Sequence, residues 1–365
     1  MVTKKAASDA APAAILLVGS SQTCPDLEYA TGLRVTDPVV ALARGRERYL
    51  VVPQLEYGRA KRLPGLTEVF TPDSLGLPAG RPRRMSDWIL RLLRRLGLRR
   101  VTVPPTFPYG ITHRLEQAGI QLTLATGDLF PERMVKNIQE VRQIREAQQA
   151  AVLAMRSATA LLAGTEPDRE GYLRSRGRVL TSEDVIRHIT GVLLQHDCSG
   201  RETIVAGGFQ AADPHERGHG PLRAGEAIVL DIFPQHERHG YWGDLTRTVV
   251  RGTPSPLLKR MYGAVRAAQA AALAQVRPGV RCATVHRAAV TEFARRNFAT
   301  AHENGRHVGF IHATGHGVGL SIHESPSVSL NETRLRPGHV ITIEPGLYYP
   351  GIGGIRIEDT IVVTP

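Results

Sequence analysis

Five acidic or imidazole-bearing segments stand out because their residue types could do metal chemistry. Asp231 interrupts the apolar run Ala-Ile-Val-Leu-Asp-Ile-Phe. An unpaired carboxylate buried there is costly unless it meets a cation or a metal ion. Asp244, thirteen positions on, opens Asp-Leu-Thr-Arg-Thr-Val-Val just after Gly240 and Gly243. The segment between the two reads as a hairpin turn, so both aspartates can face one site from neighbouring strands. His312, His316 and His323 fall within twelve residues among glycines, where imidazole supplies neutral ligands or proton-transfer groups and glycine permits close backbone approach. Glu344 ends the apolar strand Val-Ile-Thr-Ile, and Glu358 follows fourteen residues later in Gly-Gly-Ile-Arg-Ile-Glu-Asp. In an extended strand Arg356 and Glu358 share a face, with Ile355 and Ile357 on the other.

Each of these has a plainer reading alone. Asp231 could be an ion-pair partner, Asp244 could end a turn, a lone histidine is more often structural, and each glutamate strand could bury one salt-bridged acid. Together, four carboxylates and one histidine form a hard, oxygen-rich donor set with charge enough for two divalent ions. Carboxylate-dominated coordination suits manganese, and cobalt or zinc also fit a mixed oxygen and nitrogen site. Two ions about 3.5–4 Å apart lower the pKa of a shared water until its hydroxide is nucleophilic near neutrality.

The elements that must position these groups can be read from periodicity. Residues 14–130 alternate short apolar strands (15–18, 39–43, 49–52, 101–103, 122–125) with helical stretches, the pattern of a small α/β domain. From residue 132 the character changes. Residues 136–162 run without Gly or Pro, with apolar side chains at three- and four-residue steps, which predicts a long helix. Further helices are expected over 182–195, 254–276 and 285–298, and strands over 203–205, 227–232, 245–250, 340–343 and 355–363. The expected organisation is an α/β domain over residues 1–131 and an α+β domain with mostly antiparallel strands over 132–365.

Length allows this, since single cores seldom grow past roughly 250 residues and the chain has 365. The net charge of +12 raises the question of nucleic acid or acidic lipid. Eight arginines lie between residues 81 and 100, but Trp88, Ile89, Leu92, Leu93 and Leu96 recur on one helical face. That describes an amphipathic helix with a basic solvated side. No nucleic-acid module accompanies it, so neither nucleic acid nor membrane is an expected partner. Lys4, Lys5 and the Ala-rich stretch to Leu17 imitate a secretion signal, but Asp9 interrupts them, and the apolar run 13–19 is far short of the ~20 residues of a membrane span. A first strand is the expectation. Cys24, Cys198 and Cys282 are odd in number and lack C-x-x-C spacing, which predicts free thiols and a cytoplasmic setting.

The ordered set from Asp231 to Glu358 resembles the creatinase and methionine aminopeptidase superfamily, and within it the proline-specific peptidases prolidase and aminopeptidase P. The resemblance covers residues 136–365 and extends more weakly to Pro-Asp-Leu-Glu-Tyr-Ala-Thr-Gly at 25–32, similar to the opening of a creatinase-type accessory domain. It implies a pita-bread catalytic domain preceded by a smaller α/β domain, a homodimer, and cleavage before proline in short peptides. It also implies that Asp231, Asp244, His316, Glu344 and Glu358 are metal ligands, with Asp244 and Glu358 bridging. His215 matches an upstream substrate-contacting histidine, although His219 is close enough to keep that choice open. His323 matches the histidine that hydrogen-bonds the scissile carbonyl, His312 a substrate-side histidine, Glu344 also a proton shuttle, and Arg356 a support for the ligands.

Two departures are visible. The aspartates are two residues further apart than is common in such proteins, through Pro-Gln-His-Glu-Arg-His at 234–239. Ser327 follows His-Glu-Ser-Pro where some prolidases carry an arginine for a dipeptide's carboxylate, so action on longer Xaa-Pro peptides is an equal expectation. Two other readings are a creatinase-like hydrolase of a small non-peptide compound and a non-catalytic binding protein. The intact acidic set argues against both.

Overall fold

The computed structural model describes residues 14–77, 84–303 and 305–365. The start of the Ala-rich N-terminal stretch, Arg81 and Arg83 lie outside them. The chain is a multidomain α+β protein that divides into two compact units, Met1–Pro131 and Glu132–Pro365.

In the first unit one six-stranded mixed sheet has the spatial order Glu68–Phe70, Glu47–Val51, Val39–Arg44, Ile15–Gly19, Arg100–Val103, Gln121–Leu124. Alternation along each strand sends Leu16, Val40 and Leu42 into one core and Leu17, Val39 and Ala41 into the other, so the sheet is covered on both faces. The basic helix Met85–Arg95 buries Trp88, Ile89, Leu92 and Leu93 and leaves Arg91, Arg94 and Arg95 exposed. Each buried leucine contributes roughly 1.5–3 kcal/mol, and the arginines form its solvated side.

In the second unit the long helix Ile138–Ala163 starts at Asn137, whose side chain accepts the N–H groups of Gln139 and Glu140 while Glu140 reaches back to the Asn137 N–H. Such a cap contributes about 1 kcal/mol. Thr181 and Asp184 make the same reciprocal cap for the helix Ser182–Leu194. These two helices pack on an antiparallel sheet of Ile204–Gly207, Ile228–Ile232 and Leu245–Val249 through Ile228, Leu230, Ile232 and Leu245. A second pair, Pro256–Leu273 and Cys282–Arg295, forms a core with Ile341, Ile343, Leu347 and Ile355. Ile341 and Ile343 belong to a four-stranded antiparallel sheet ordered Glu324–Val328, Gly315–Gly317, Val340–Ile343, Asp359–Val362.

The run expected as one strand over 355–363 is broken. Gly353–Arg356 pairs with Gly346–Tyr349, Asp359–Val362 pairs with Val340–Ile343, and Ile357 and Glu358 lie between. Hydrophobicity is continuous through the break because both flanks are buried, so pattern alone could not mark it. Among the described residues no helix is long and apolar enough to cross a membrane.

Candidate active site

With Ile228, Leu230 and Ile232 turned to the helices, period 2 turns Asp231 to the opposite face of its strand. Asp231 pairs in register with Thr246 on the neighbouring strand. Asp244 lies one residue before that strand begins. On the other sheet Ile341 and Ile343 face the second helix pair, Thr342 turns away, and its Oγ1 accepts the His316 N–H at 3.1 Å. Gly315 lets the His316 strand come this close: a Cβ there would stand 1.9 Å from the Thr342 carbonyl oxygen.

These faces bring the acids together. His316 Nε2 is 3.5 Å from Asp244 Oδ2 and 3.3 Å from Glu344 Oε1. Asp244, His316 and Glu358 each present a ligand atom within 4.8 Å of the others. Thr246 Oγ1 lies 2.8 Å from Asp231 Oδ1 and 2.7 Å from Glu358 Oε2. A single hydroxyl proton serves only one of them, so without a cation the other contact needs a protonated carboxyl. Arg356 Nη2 donates to Asp231 Oδ2 at 2.6 Å, and its Nη1 donates to the Tyr348 hydroxyl at 2.9 Å.

The electrostatics of these groups follow from their burial and crowding. Burial, then the charges of Glu358, Asp231 and Glu344, push the Asp244 carboxyl well above its ordinary range. Burial and the charges of Glu344 and Asp231 push Glu358 up to about 8. Burial alone would lower His316, but the hydrogen bond and charge of Glu344 raise it to about 9. Burial would raise Glu344, yet the hydrogen bond and charge of His316, with His312 and Arg356, hold it down at about 2. Glu358 is 1% exposed, and its buried Oε1 has no hydrogen-bond partner among the described residues. His316 Nδ1 faces the Gly317 carbonyl at 3.1 Å, so Nδ1–H donates there, and a cation that displaces the proton Nε2 shares with Glu344 would find the Nε2 lone pair. Crowded carboxylates, an orphaned oxygen and that tautomer fit divalent cations.

A pH signature follows for chelator-treated protein. The unfolded chain releases the Glu358 proton near its ordinary 4.5, the folded chain near 8, so stability falls as pH rises between those values. His316 acts in the same direction between its ordinary 6.5 and about 9. Glu344 acts oppositely, but only below 4.5. The unfolding midpoint in chelator should therefore drop by several degrees from pH 5 to pH 9, and Mn2+ should reduce the drop. A flat profile in chelator would contradict this electrostatic account.

The other expected residues lie around this centre. His323 stands edge-on to His316 with ring centroids 4.2 Å apart. Burial, then the charge of His316, lower its pKa. His312 has both nitrogens engaged, Nδ1 with the Ala313 carbonyl at 2.7 Å and Nε2 with the Tyr348 hydroxyl at 2.9 Å. His215 is exposed. His219 is exposed too, its N–H donating to Gln210 Oε1 at 2.9 Å and its carbonyl accepting from Gln210 Nε2 at 2.9 Å.

Two contributors were not singled out from the sequence. Thr246 could have been, since period 2 places it on the face of Asp244. Tyr348 carries no such signal.

A second group, Glu146, His236 and His239, also brings ligand atoms within 4.8 Å. Its chemistry differs. Both Nδ1 atoms accept backbone N–H groups, from Arg238 and Tyr241, at 3.2 Å. The neutral rings then carry their protons on Nε2, and His239 Nε2 faces Glu146 Oε2 at 3.3 Å. Both ring lone pairs are thus taken by backbone N–H groups, and the nitrogens that face Glu146 are the protonated ones, at 3.3 Å for His239 and 4.0 Å for His236, so neither ring offers a metal a lone pair.

The fold and the acidic centre define a metallohydrolase. The metallopeptidase family M24 model matches residues 142–365, more than half of the sequence, and the chain belongs to that family. It is 30% identical over 344 residues to the Xaa-Pro dipeptidase of Pyrococcus horikoshii, across 93% of this chain and 88% of that one. Among solved structures it is similar to the Xaa-Pro dipeptidase from Bacillus anthracis, with a TM-score of 0.80, 26% identity, and 96% and 90% of the two chains covered. It is also similar to the prolidase from P. horikoshii, with a TM-score of 0.78, 27% identity, and 97% and 91% covered.

Proposed function

We propose that this metallopeptidase hydrolyses the amide bond preceding proline in short peptides, using a dinuclear centre held by Asp231, Asp244, His316, Glu344 and Glu358. The observation that carries the reading is the buried Glu358 Oε1, without a partner among the described residues, beside carboxyls whose proton affinities are raised by burial and by one another. Full-length similarity to Xaa-Pro dipeptidases supports the substrate class. By the same resemblance the second unit is a pita-bread domain over residues 132–365 and the first a creatinase-like domain over 1–131. Manganese is the proposed metal, and a cytoplasmic homodimer the proposed form.

Bound ions of this kind supply Lewis acidity and a water that ionises near neutral pH. The chain supplies the rest. Glu344 takes the proton of the attacking water and delivers it to the leaving nitrogen. His323 hydrogen-bonds the scissile carbonyl oxygen as charge develops on it. Arg356 holds Asp231 in place, and Tyr348 donates its hydroxyl proton to His312 Nε2 while accepting from Arg356. His215 contacts the substrate from the exposed side. Because proline makes a tertiary amide, recognition rests on the shape of a ring pocket and not on an amide N–H.

Ser327 sets the expectation for peptide length. Its hydroxyl donates to Ser329 Oγ at 3.0 Å, so this position offers no cation to a dipeptide's carboxylate. A tripeptide with proline second should be cleaved with kcat/KM at least comparable to that of the corresponding Xaa-Pro dipeptide. Paired assays with Mn2+ test this, and cleavage of the dipeptide alone would refute it.

A further inference from the structure

The carboxylate of Asp244 sits in the centre, but its peptide groups lie outside the sheet. The ladder between Ile228–Ile232 and Leu245–Val249 ends at the pair Ile232 and Leu245. Asp244 is nevertheless 4% exposed, so its N–H and C=O need partners from elsewhere. They find them on the long helix. The Asp244 N–H donates to Gln148 Oε1 at 2.7 Å, and Gln148 Nε2 donates back to the Asp244 carbonyl at 2.9 Å. Thr360 Oγ1 donates to the same carbonyl at 2.8 Å. The side-chain amide of Gln148 thus does for Asp244 what a neighbouring strand does for ladder residues.

The rest of the lengthened hairpin rests on the same helix. A Cβ on Gly243 would stand 2.6 Å from the Gln148 nitrogen and 2.7 Å from the Ala147 carbonyl carbon. The Tyr241 hydroxyl donates to Glu140 Oε1 at 2.8 Å. Glu140, Ala147 and Gln148 lie seven and eight residues apart, on one helical face.

We propose that Gln148 is a positioning residue for the metal centre: by gripping both peptide groups of Asp244 it fixes that carboxylate for ion binding. It touches neither substrate nor ion. The proposal rests on the dinuclear reading above, and its test separates the two.

Mn2+ is titrated into chelator-stripped wild type, Gln148→Met and Gln148→Asn, with free Mn2+ counted by electron paramagnetic resonance and heat by calorimetry at 25 °C. Methionine keeps the length and removes both hydrogen bonds. Asparagine keeps the amide and withdraws it by one methylene. Loss of a partner that orients a ligand typically weakens metal binding by roughly 10–100-fold, and both variants are expected in that range. Peptide kinetics should show kcat reduced at limiting Mn2+, restored mostly at saturating Mn2+, and KM unchanged. A role in helix packing alone would lower the unfolding midpoint and leave Mn2+ affinity as in wild type, which overturns the proposal. Should Gln148→Met not fold, wild-type affinity in Gln148→Asn overturns it equally. Failure of the wild type to bind Mn2+ instead removes the dinuclear reading.

Discussion

Glu358→Ala and Asp244→Ala should each abolish tight binding of Mn2+ and lower kcat/KM for an Xaa-Pro peptide by ~10³-fold or more, about 4 kcal/mol of transition-state stabilisation. The expectation comes from how little else these side chains do. Among the described residues Glu358 Oε1 has no hydrogen-bond partner, and Oε2 meets the Thr246 hydroxyl alone. Burial, then the like charges packed around it, drive the proton affinity of the Asp244 carboxylate up. In metal-free protein these acids are therefore a liability. Asp244→Ala should leave the chelator-treated protein at least as stable as wild type while activity is lost, the trade expected where function requires crowded charge. Because the ligands act as one unit, the double variant should be scarcely worse than either single one. Metal content by elemental analysis, turnover, and urea denaturation in chelator check the three parts. Retention of metal-dependent activity in either single variant would falsify the ligand assignment.

Much of this was legible in the sequence because the signals are local. Asp231, Glu344 and Glu358 are acids in apolar runs, and such interruptions are conspicuous wherever they occur. The long helix showed through its spacing, and Asn137 with Glu140 completes its capping box. Hidden were relations between distant segments. Gln148 is one glutamine among polar residues on a helix, and only the fold brings it to Asp244, ninety-six positions away. The break after Arg356 was invisible because Ile355 and Ile357 are both buried, so apolar alternation continues across the change of sheet. The short helices Pro25–Thr31 and Gln54–Ala60 escaped for a related reason: seven residues give barely two turns of periodicity. His215 and His219 are equivalent by sequence pattern, four residues apart in one exposed loop segment, so local signals do not choose between them.

Arg356→Met should have the largest effect on stability. Arg356 is 4% exposed, and its guanidinium reaches Asp231 Oδ2 at 2.6 Å, the Tyr348 hydroxyl at 2.9 Å, and the Pro214 carbonyl and Thr246 Oγ1 at 3.3 Å. Methionine fills much of the volume but removes the guanidinium that pairs with Asp231. Breaking a buried pair from one side costs about 3–5 kcal/mol, chiefly because the remaining charge is left without compensation. That loss should appear in urea denaturation with chelator. Mn2+ should shrink it, since ions held by the same carboxylates replace part of the lost positive charge. Asp231→Asn added to Arg356→Met should recover part of the loss in chelator, because no orphaned charge then remains, and a double-mutant cycle measures that coupling directly. A loss below about 1 kcal/mol for Arg356→Met in chelator would mean that Asp231 does not depend on Arg356 for compensation. The neutralising role would then belong to the acids themselves, and Arg356 would serve only to orient Tyr348 and the strand edge around it.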